Sequence, residues 1–118
     1  MNIFENTAQK YPTIVEIMCS AAIFAGAKIM DVYSKDDFGI EIKGDGSPLT
    51  LADRLADQVI GEILKLNFPN IPIISEESHC DLKSVIDVIY FLIDPLDGTK
   101  EFIKKTGEFT VNIAMILN

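Results

Sequence analysis

Residues 88–99, VIYFLIDPLDGT, join an uninterrupted apolar run to an acidic turn. The first six of these residues are typical of a buried β-strand. Asp94 and Asp97 follow directly, and Pro95 between them stiffens the turn. Both carboxylates can therefore face one point, with the carbonyl oxygen of Leu96 beside them. Oxygen atoms of this kind are the ligands that Mg²⁺ prefers, so Asp94, Leu96 and Asp97 are candidate metal ligands.

A second strand with acidic residues at its end precedes this stretch. The apolar residues 71–74 predict a short strand that runs into Glu76 and Glu77. Two adjacent glutamates are by themselves more typical of a solvated loop, and residues 94–99 by themselves could be a plain turn. Taken together, the four carboxylates would repel one another strongly, and a bound cation would remove that cost.

Two helices precede the strands. Apolar residues recur with a period close to 3.6 over residues 14–32, which predicts a helix with Pro12 in its first turn and its end near Ser34. A second helix is predicted to begin after Thr50, whose side chain can cap it, and to end at residues 67–70.

The remaining elements are short. They are a strand at residues 40–43, a loop at 44–48, a helical turn at 100–105 and a third apolar strand at 109–117. We therefore expect an α+β fold in which the two N-terminal helices pack on one face of a mainly antiparallel or mixed sheet.

Asp53 and Thr99 are the candidate catalytic residues. Asp53 lies three residues after Thr50, where a carboxylate can reach back to the helix cap, and that structural role is the commoner one. The alternative is that Asp53 acts as a general base on a water molecule through Thr99. If a helical turn begins at Gly98 and Thr99, its free backbone N–H groups point at an anion, which makes both residues candidates for binding phosphate.

The composition excludes several classes of protein. The chain has 118 residues, of which 48% are hydrophobic, as expected for one folded domain. Ten Lys and Arg against eighteen Asp and Glu give a net charge of −8, which disfavours binding to nucleic acid polymers or anionic membranes. The longest nearly apolar run, residues 17–27, is too short for a membrane span, and no signal peptide is visible. With two distant cysteines, Cys19 and Cys80, we expect a soluble cytoplasmic protein.

Three motifs resemble one known family. Residues 93–99 (IDPLDGT), 75–78 (SEES) and 47–53 (SPLTLAD) are similar, in the expected order, to motifs of the inositol monophosphatase superfamily of Mg²⁺-dependent, Li⁺-sensitive phosphatases. Within that superfamily, residues 97–103 (DGTKEFI) and 107–114 (GEFTVNIA) are most similar to the bacterial 3'(2'),5'-bisphosphate nucleotidases.

The resemblance implies a role for each candidate residue. One Mg²⁺ would be held by Glu76, Asp94 and the Leu96 carbonyl, and Asp94 and Asp97 would contribute to a second site, which is incomplete in this chain. Asp53 and Thr99 would orient and deprotonate the attacking water. The backbone amides of Gly98 and Thr99 would hold the phosphate, and Glu77 would support the metal ligands or hold a third metal.

The resemblance also implies a reaction and a fold. Such enzymes remove the 3'-phosphate from adenosine 3',5'-bisphosphate to give AMP, by direct attack of water, and so clear a by-product of sulfate assimilation in the cytoplasm. The chain would form part of the layered sugar-phosphatase fold. Residues 1–118 would be its N-terminal metal-binding part, and the C-terminal part, with a Trp-Asp motif, would be missing, because the chain contains no Trp.

Three alternatives remain open at this point. The chain could bind a metal ion without catalysis. It could be a half-domain that pairs its sheet edge with a second copy or with the missing C-terminal half. It could also belong to an enzyme of the inositol monophosphatase type, acting on inositol monophosphate or fructose 1,6-bisphosphate.

Overall fold

The computed structural model describes residues 3–77 and 89–117, with side chains from residue 13 onward. The elements are α1 (Ile3–Tyr33), β1 (Glu41–Ile42), β2 (Pro48–Leu49), α2 (Leu51–Asn67), β3 (Ile73–Ser75), β4 (Tyr90–Asp97), α3 (Thr99–Ile103) and β5 (Thr110–Ile116). The predicted α+β class is confirmed.

The main sheet has the strand order β3-β4-β5 and is mixed. β3 and β4 are parallel, with Ser75 opposite Ile93, whereas β4 and β5 are antiparallel, with Ile93 opposite Ile113. The parallel pair brings the carboxyl ends of β3 and β4 to the same edge of the sheet. The backbone N–H of Glu76 donates to the carbonyl of Ile93 at 3.0 Å, so the two acidic segments lie side by side.

The two long helices cover one face of this sheet. α1 and α2 pack closely through small residues such as Ala21, Ala25 and Ala56, which are fully buried. Phe91 of β4 is buried on the helix side, whereas Leu92 on the opposite face is 40% exposed. The predicted packing of helices on one face is therefore confirmed, and the core lies between the helices and the sheet.

Some element boundaries differ from the sequence prediction. α1 begins at Ile3, so Pro12 lies inside the helix and not in its first turn. Pro12 is typical of a first helical turn, but the residues before it include good helix formers such as Glu5 and Lys10, and the helix extends through them. Pro48 lies in β2, which forms a hairpin with β1, where a loop was predicted.

β4 also extends beyond its predicted end at Ile93 and reaches Asp97. Asp94 pairs with Asn112 and Asp97 pairs with Thr110, with a register shift between the two pairs. This irregularity accommodates Pro95, because proline has no N–H for the ladder and is tolerated in sheets at such bulges. The acidic turn of the prediction is therefore the bulged end of a strand.

α1 contains a segment, Thr13–Tyr33, that is long and apolar enough to cross a membrane by length and composition alone, with a mean hydropathy of 1.6. The sequence prediction counted only the uninterrupted run of residues 17–27. The core helix of a soluble protein meets the same criterion, and α1 buries Ala21, Ala25 and Ile29. The absence of a membrane span therefore stays a prediction.

An aromatic cluster joins α1, α3 and the start of β5. Phe102 of α3 is fully buried, and its ring centroid lies 5.1 Å from that of Tyr33, 4.8 Å from that of Phe38 and 5.2 Å from that of Phe109. The cluster anchors the five-residue helix α3, which is too short to be stable by itself.

Phe102→Ala should lower the free energy of unfolding by about 3–5 kcal/mol, because it removes a fully buried aromatic ring and leaves a cavity. Urea denaturation followed by circular dichroism measures this loss. Leu66→Ala is the control, since Leu66 is 83% exposed and should change the stability by less than about 0.5 kcal/mol. Equal effects of the two substitutions would contradict the anchoring role of Phe102.

Candidate metal and phosphate site

An open cavity of about 280 Å³ lies at the sheet edge where β3 and β4 end. The residues predicted from the sequence that line this cavity are Glu76, Glu77, Asp94, Leu96, Asp97, Gly98 and Thr99. Asp53 does not line it but is hydrogen-bonded to Thr99. The structure thus brings together all the candidate metal, phosphate and catalytic residues that were predicted from the sequence.

Asp53 is a fully buried carboxylate with hydrogen bonds to both of its oxygens. Its Oδ2 accepts from the backbone N–H of Thr50 at 2.8 Å and from the Thr50 hydroxyl at 2.7 Å. Its Oδ1 accepts from the hydroxyl of Thr99 at 2.9 Å. The predicted capping of α2 by Thr50 and Asp53 is confirmed. The same carboxylate also faces Thr99, so the structural and the functional interpretation of Asp53 are compatible.

Thr99 connects this buried carboxylate to the cavity. Its Oγ1 lies 2.9 Å from Asp53 Oδ1 and 3.4 Å from the carbonyl oxygen of Leu96. A hydroxyl has one proton and two lone pairs. Because the proton is directed to the nearer acceptor, Asp53, the lone pairs are available to accept a hydrogen bond from water in the cavity.

Asp94 is a carboxylate whose ionisation the site opposes. Burial, followed by the negative charges of Asp97, Glu76, Glu77 and Asp53, raises the pKa of Asp94 from 3.8 to about 6. An anionic cluster of this kind is stabilised when a cation enters.

Asp97 is held from the neighbouring strand. Its Oδ2 accepts a hydrogen bond from the side-chain amide of Asn112 at 3.1 Å. This contact depends on the antiparallel pairing of β4 with β5, so the sequence around Asp97 did not reveal it.

Lys43 is a site residue that the sequence reasoning missed. Its Nζ donates to Glu77 Oε1 at 3.0 Å, across a sequence separation of 34 residues. Burial lowers the pKa of Lys43, but the hydrogen bond to Glu77 and the negative charges of Glu77, Asp53 and Asp45 together outweigh burial, and the net pKa is raised. Burial also raises the pKa of Glu77 despite the nearby lysine. Neither effect has a local sequence signal, since β1 carries Lys43 into the site only through the tertiary fold.

The hairpin that carries Lys43 is tied to α2. Arg54, in the first turn of α2, forms an ion pair with Glu41 of β1. Both side chains are more than half exposed, so this pair contributes little to stability by itself. Together with the hairpin pairing of Glu41 with Leu49, it orients β1 toward the cavity.

Gly98 adopts a backbone conformation that requires glycine. Its φ is +98°, and a Cβ built on it would lie 2.6 Å from the carbonyl oxygen of Glu108. The chain can therefore pass from β4 into α3 beside the start of β5 only if residue 98 lacks a side chain.

The donor atoms of the cavity fit a hard divalent cation in chemistry. Glu76, Asp94 and Asp97 offer carboxylate oxygens and Leu96 a carbonyl oxygen, all lining one cavity. Within residues 3–77 and 89–117, however, no three His, Cys, Asp or Glu side chains already form a group that could hold a metal ion. The backbone brings the donors to one cavity, and a bound ion would require their side-chain rotamers to close around it.

A family model, related sequences and solved structures all point to the same family. The model of the inositol monophosphatase family matches residues 10–118. The 3'(2'),5'-bisphosphate nucleotidase CysQ of Buchnera aphidicola is 41% identical over 118 residues, which cover 98% of this chain and 44% of that protein. CysQ of Salmonella typhimurium is 46% identical over 106 residues, covering 87% of this chain and 43% of that protein.

Solved structures share the fold. The crystal structure of CysQ from Bacteroides thetaiotaomicron matches with a TM-score of 0.72 and 44% identity, covering 90% of this chain and 38% of that one. The extragenic suppressor protein suhB from Bartonella henselae matches with a TM-score of 0.78 and 29% identity, covering 87% and 40%. The chain thus spans less than half the length of the relatives that it matches.

At neutral pH and without metal, Asp94→Asn should raise the melting temperature of the chain. The raised pKa of Asp94 means that its contribution to stability is present below about pH 4 and is lost as the pH rises through about 6. The unaltered chain should lose stability across this window, whereas the variant should not, and the two should converge below about pH 4. Thermal unfolding in EDTA over this pH range measures the difference.

Asp45→Asn is the control for this experiment. The hydrogen bonds from Ser47 lower the pKa of Asp45, so removing its charge should not stabilise the chain at neutral pH. An Asp94→Asn variant less stable than the unaltered chain in EDTA would show that the carboxylate cluster is not repulsive.

Gly98→Ala should destabilise the chain more than Gly46→Ala. Gly46 has a similar φ of +85°, but a Cβ there would have nothing within 4 Å. The control therefore carries only the cost of the backbone conformation, about 1–2 kcal/mol, and Gly98→Ala adds the clash with Glu108. We expect a further loss of at least about 1 kcal/mol in urea denaturation. Equal losses would mean that the start of β5 moves without cost.

Proposed function

The chain belongs to the inositol monophosphatase family, and we propose that it carries the metal-binding and water-activating residues of a phosphatase that converts adenosine 3',5'-bisphosphate to AMP and phosphate. The observation that carries this proposal is the 2.9 Å hydrogen bond from Thr99 to the buried carboxylate of Asp53, beside a cavity lined by carboxylates. The arrangement is suited to deprotonating a water molecule.

Thr99 and Asp53 together take the proton from the attacking water. Thr99 Oγ1 accepts a hydrogen bond from the attacking water, and its own proton is directed to Asp53 Oδ1. As the water oxygen bonds to phosphorus, the water proton passes to Thr99 and the threonine proton to Asp53. The bond from phosphorus to the 3'-oxygen breaks at the same time, and the 3'-oxygen keeps the electron pair and takes a proton from solvent water. No residue is phosphorylated, because water itself is the nucleophile.

Mg²⁺ is the proposed cofactor. Glu76, Asp94, Asp97 and the Leu96 carbonyl would hold it, with Glu77 beside them. When bound, it would neutralise phosphate charge and lower the pKa of water. Li⁺ inhibition belongs to the same proposal, as does binding of the phosphate by the backbone amides of Gly98 and Thr99.

The relatives and the charges of the site support the choice of substrate. The matched relatives of 41–46% identity are named 3'(2'),5'-bisphosphate nucleotidases. Lys43 and Lys100 line the same cavity as the carboxylates, so cationic groups are available to an anionic substrate. The cytoplasm as compartment and sulfur metabolism as process are part of the same proposal.

A second candidate role is sheet pairing. Within the described residues, β5 pairs only with β4, so the other edge of the main sheet carries free backbone groups along residues 110–116. An edge of this kind pairs readily with a further strand. A second copy or a C-terminal segment of the full-length relatives is the proposed partner, and the role is compatible with the phosphatase proposal.

Phosphate release from adenosine 3',5'-bisphosphate in Mg²⁺ tests the proposal, measured on this chain alone and with the C-terminal half of a full-length relative supplied in trans. We expect release that Li⁺ suppresses and that Asp53→Asn reduces by about 100-fold or more, because the general base is lost. Glu62→Gln, on the exposed face of the same helix, is the matched control and should retain activity.

Two outcomes would contradict parts of the proposal. Faster release from inositol monophosphate or fructose 1,6-bisphosphate would contradict the substrate. Stabilisation of the chain by Mg²⁺ without release from any of the three would favour a metal-binding role without catalysis.

A further inference from the structure

Ser75 marks the point where the sheet ends and the acidic turn begins. It is the last residue of β3, is 5% exposed and directly precedes Glu76 and Glu77. Its hydroxyl donates a hydrogen bond to Asp57 Oδ1, in α2, and accepts one from the backbone N–H of Glu77 at 3.2 Å. Both the proton and a lone pair of this buried hydroxyl are therefore used.

Asp57 follows Asp53 by one helical turn, so both carboxylates are on the same face of α2. Asp53 is bonded to Thr99, just after β4, whereas Asp57 is bonded to Ser75, at the end of β3. The helix thus fixes the ends of two adjacent strands through two carboxylates. Asp57 does not line the 280 Å³ cavity, so it is not placed as a metal ligand.

The turn after Ser75 is held at its backbone from both sides. The N–H of Glu76 donates to the carbonyl of Ile93 in β4, and the N–H of Glu77 donates to Ser75 Oγ. Among the described residues, loss of the Ser75 hydroxyl would leave this turn with the backbone bond to β4 and the ion pair between Glu77 and Lys43.

We propose that Asp57 is a positioning residue that acts through Ser75: it fixes the turn of Glu76 and Glu77 so that the Glu76 carboxylate faces the metal cavity. This inference rests on the proposed function, since it takes the cavity to be the Mg²⁺ site. It concerns a residue outside the predicted ligand and catalytic set.

Magnesium titration by calorimetry tests the proposal on the 118-residue chain. Ser75→Ala and Asp57→Ala should each raise the Kd for Mg²⁺ by about 10-fold, as expected when a partner that orients a ligand is lost. The double variant should be no worse than either single one, because both remove the same chain of hydrogen bonds. Glu62→Ala, on the same helix, is the matched control and should leave the Kd unchanged.

Asp57→Asn separates positioning from long-range charge. The asparagine carbonyl can still accept from Ser75, so this variant should keep a Kd within about 2-fold of the unaltered chain. A 10-fold loss in Asp57→Asn would instead assign the effect to the negative charge and overturn the proposal.

Hydrogen exchange of backbone amides gives a readout that needs no metal. In EDTA, Ser75→Ala should speed exchange of the Glu77 amide by about 10-fold or more. The Phe91 amide, which donates to the Pro72 carbonyl at 2.9 Å, is the internal reference and should not change. Unchanged exchange at Glu77 would overturn the proposal, as would a lower melting temperature with an unchanged Kd for Mg²⁺.

The two proposals fail in different ways. If the unaltered chain does not bind Mg²⁺, the proposed function of the cavity is wrong, whatever the exchange result. If it binds Mg²⁺ but releases no phosphate even with the C-terminal half of a full-length relative present, the catalytic proposal fails, and a Kd raised by Ser75→Ala still supports the role of Asp57.

Discussion

The buried carboxylate of Asp53 joins the start of α2 to the end of β4. It accepts hydrogen bonds from the backbone and the side chain of Thr50 and from the hydroxyl of Thr99. A buried carboxylate with no partner would be costly, and here each of its oxygens accepts a bond. The capping of the helix and the orientation of Thr99 therefore depend on one side chain.

The rest of the site follows from strand pairing. Because β3 and β4 run in parallel, their carboxyl ends place Glu76 beside Asp94, and burial together with the neighbouring carboxylates raises the pKa of Asp94 to about 6. Without a bound cation, this chain would be more stable if fewer carboxylates lay at this edge of the sheet. A carboxylate with a raised pKa beside a cavity is a candidate functional group. The aromatic cluster around Phe102 then keeps α3 against this edge.

Agreement between sequence and structure was greatest where the chemistry is local. The capping of α2 by Thr50 and Asp53 was predicted correctly because a cap and its third helical residue are adjacent in the chain. The start of α1 was placed too late, because Pro12 is typical of a first helical turn but here lies inside the helix. The end of β4 was placed too early, because Pro95 is typical of a turn and only pairing with β5 turns it into a bulge. Lys43 was missed because it reaches Glu77 through the fold.

The sequence alone determined the α+β class, the residue types of the site and, through three ordered motifs, the family. Those properties reside in short segments, where spacing and residue type dictate chemistry. Only the tertiary structure decided that β3 and β4 pair in parallel, that Lys43 faces Glu77 and that Asp57 reaches Ser75. These contacts join segments separated by 18 or more residues, and they are set by how α2 packs on the sheet, which no local pattern encodes.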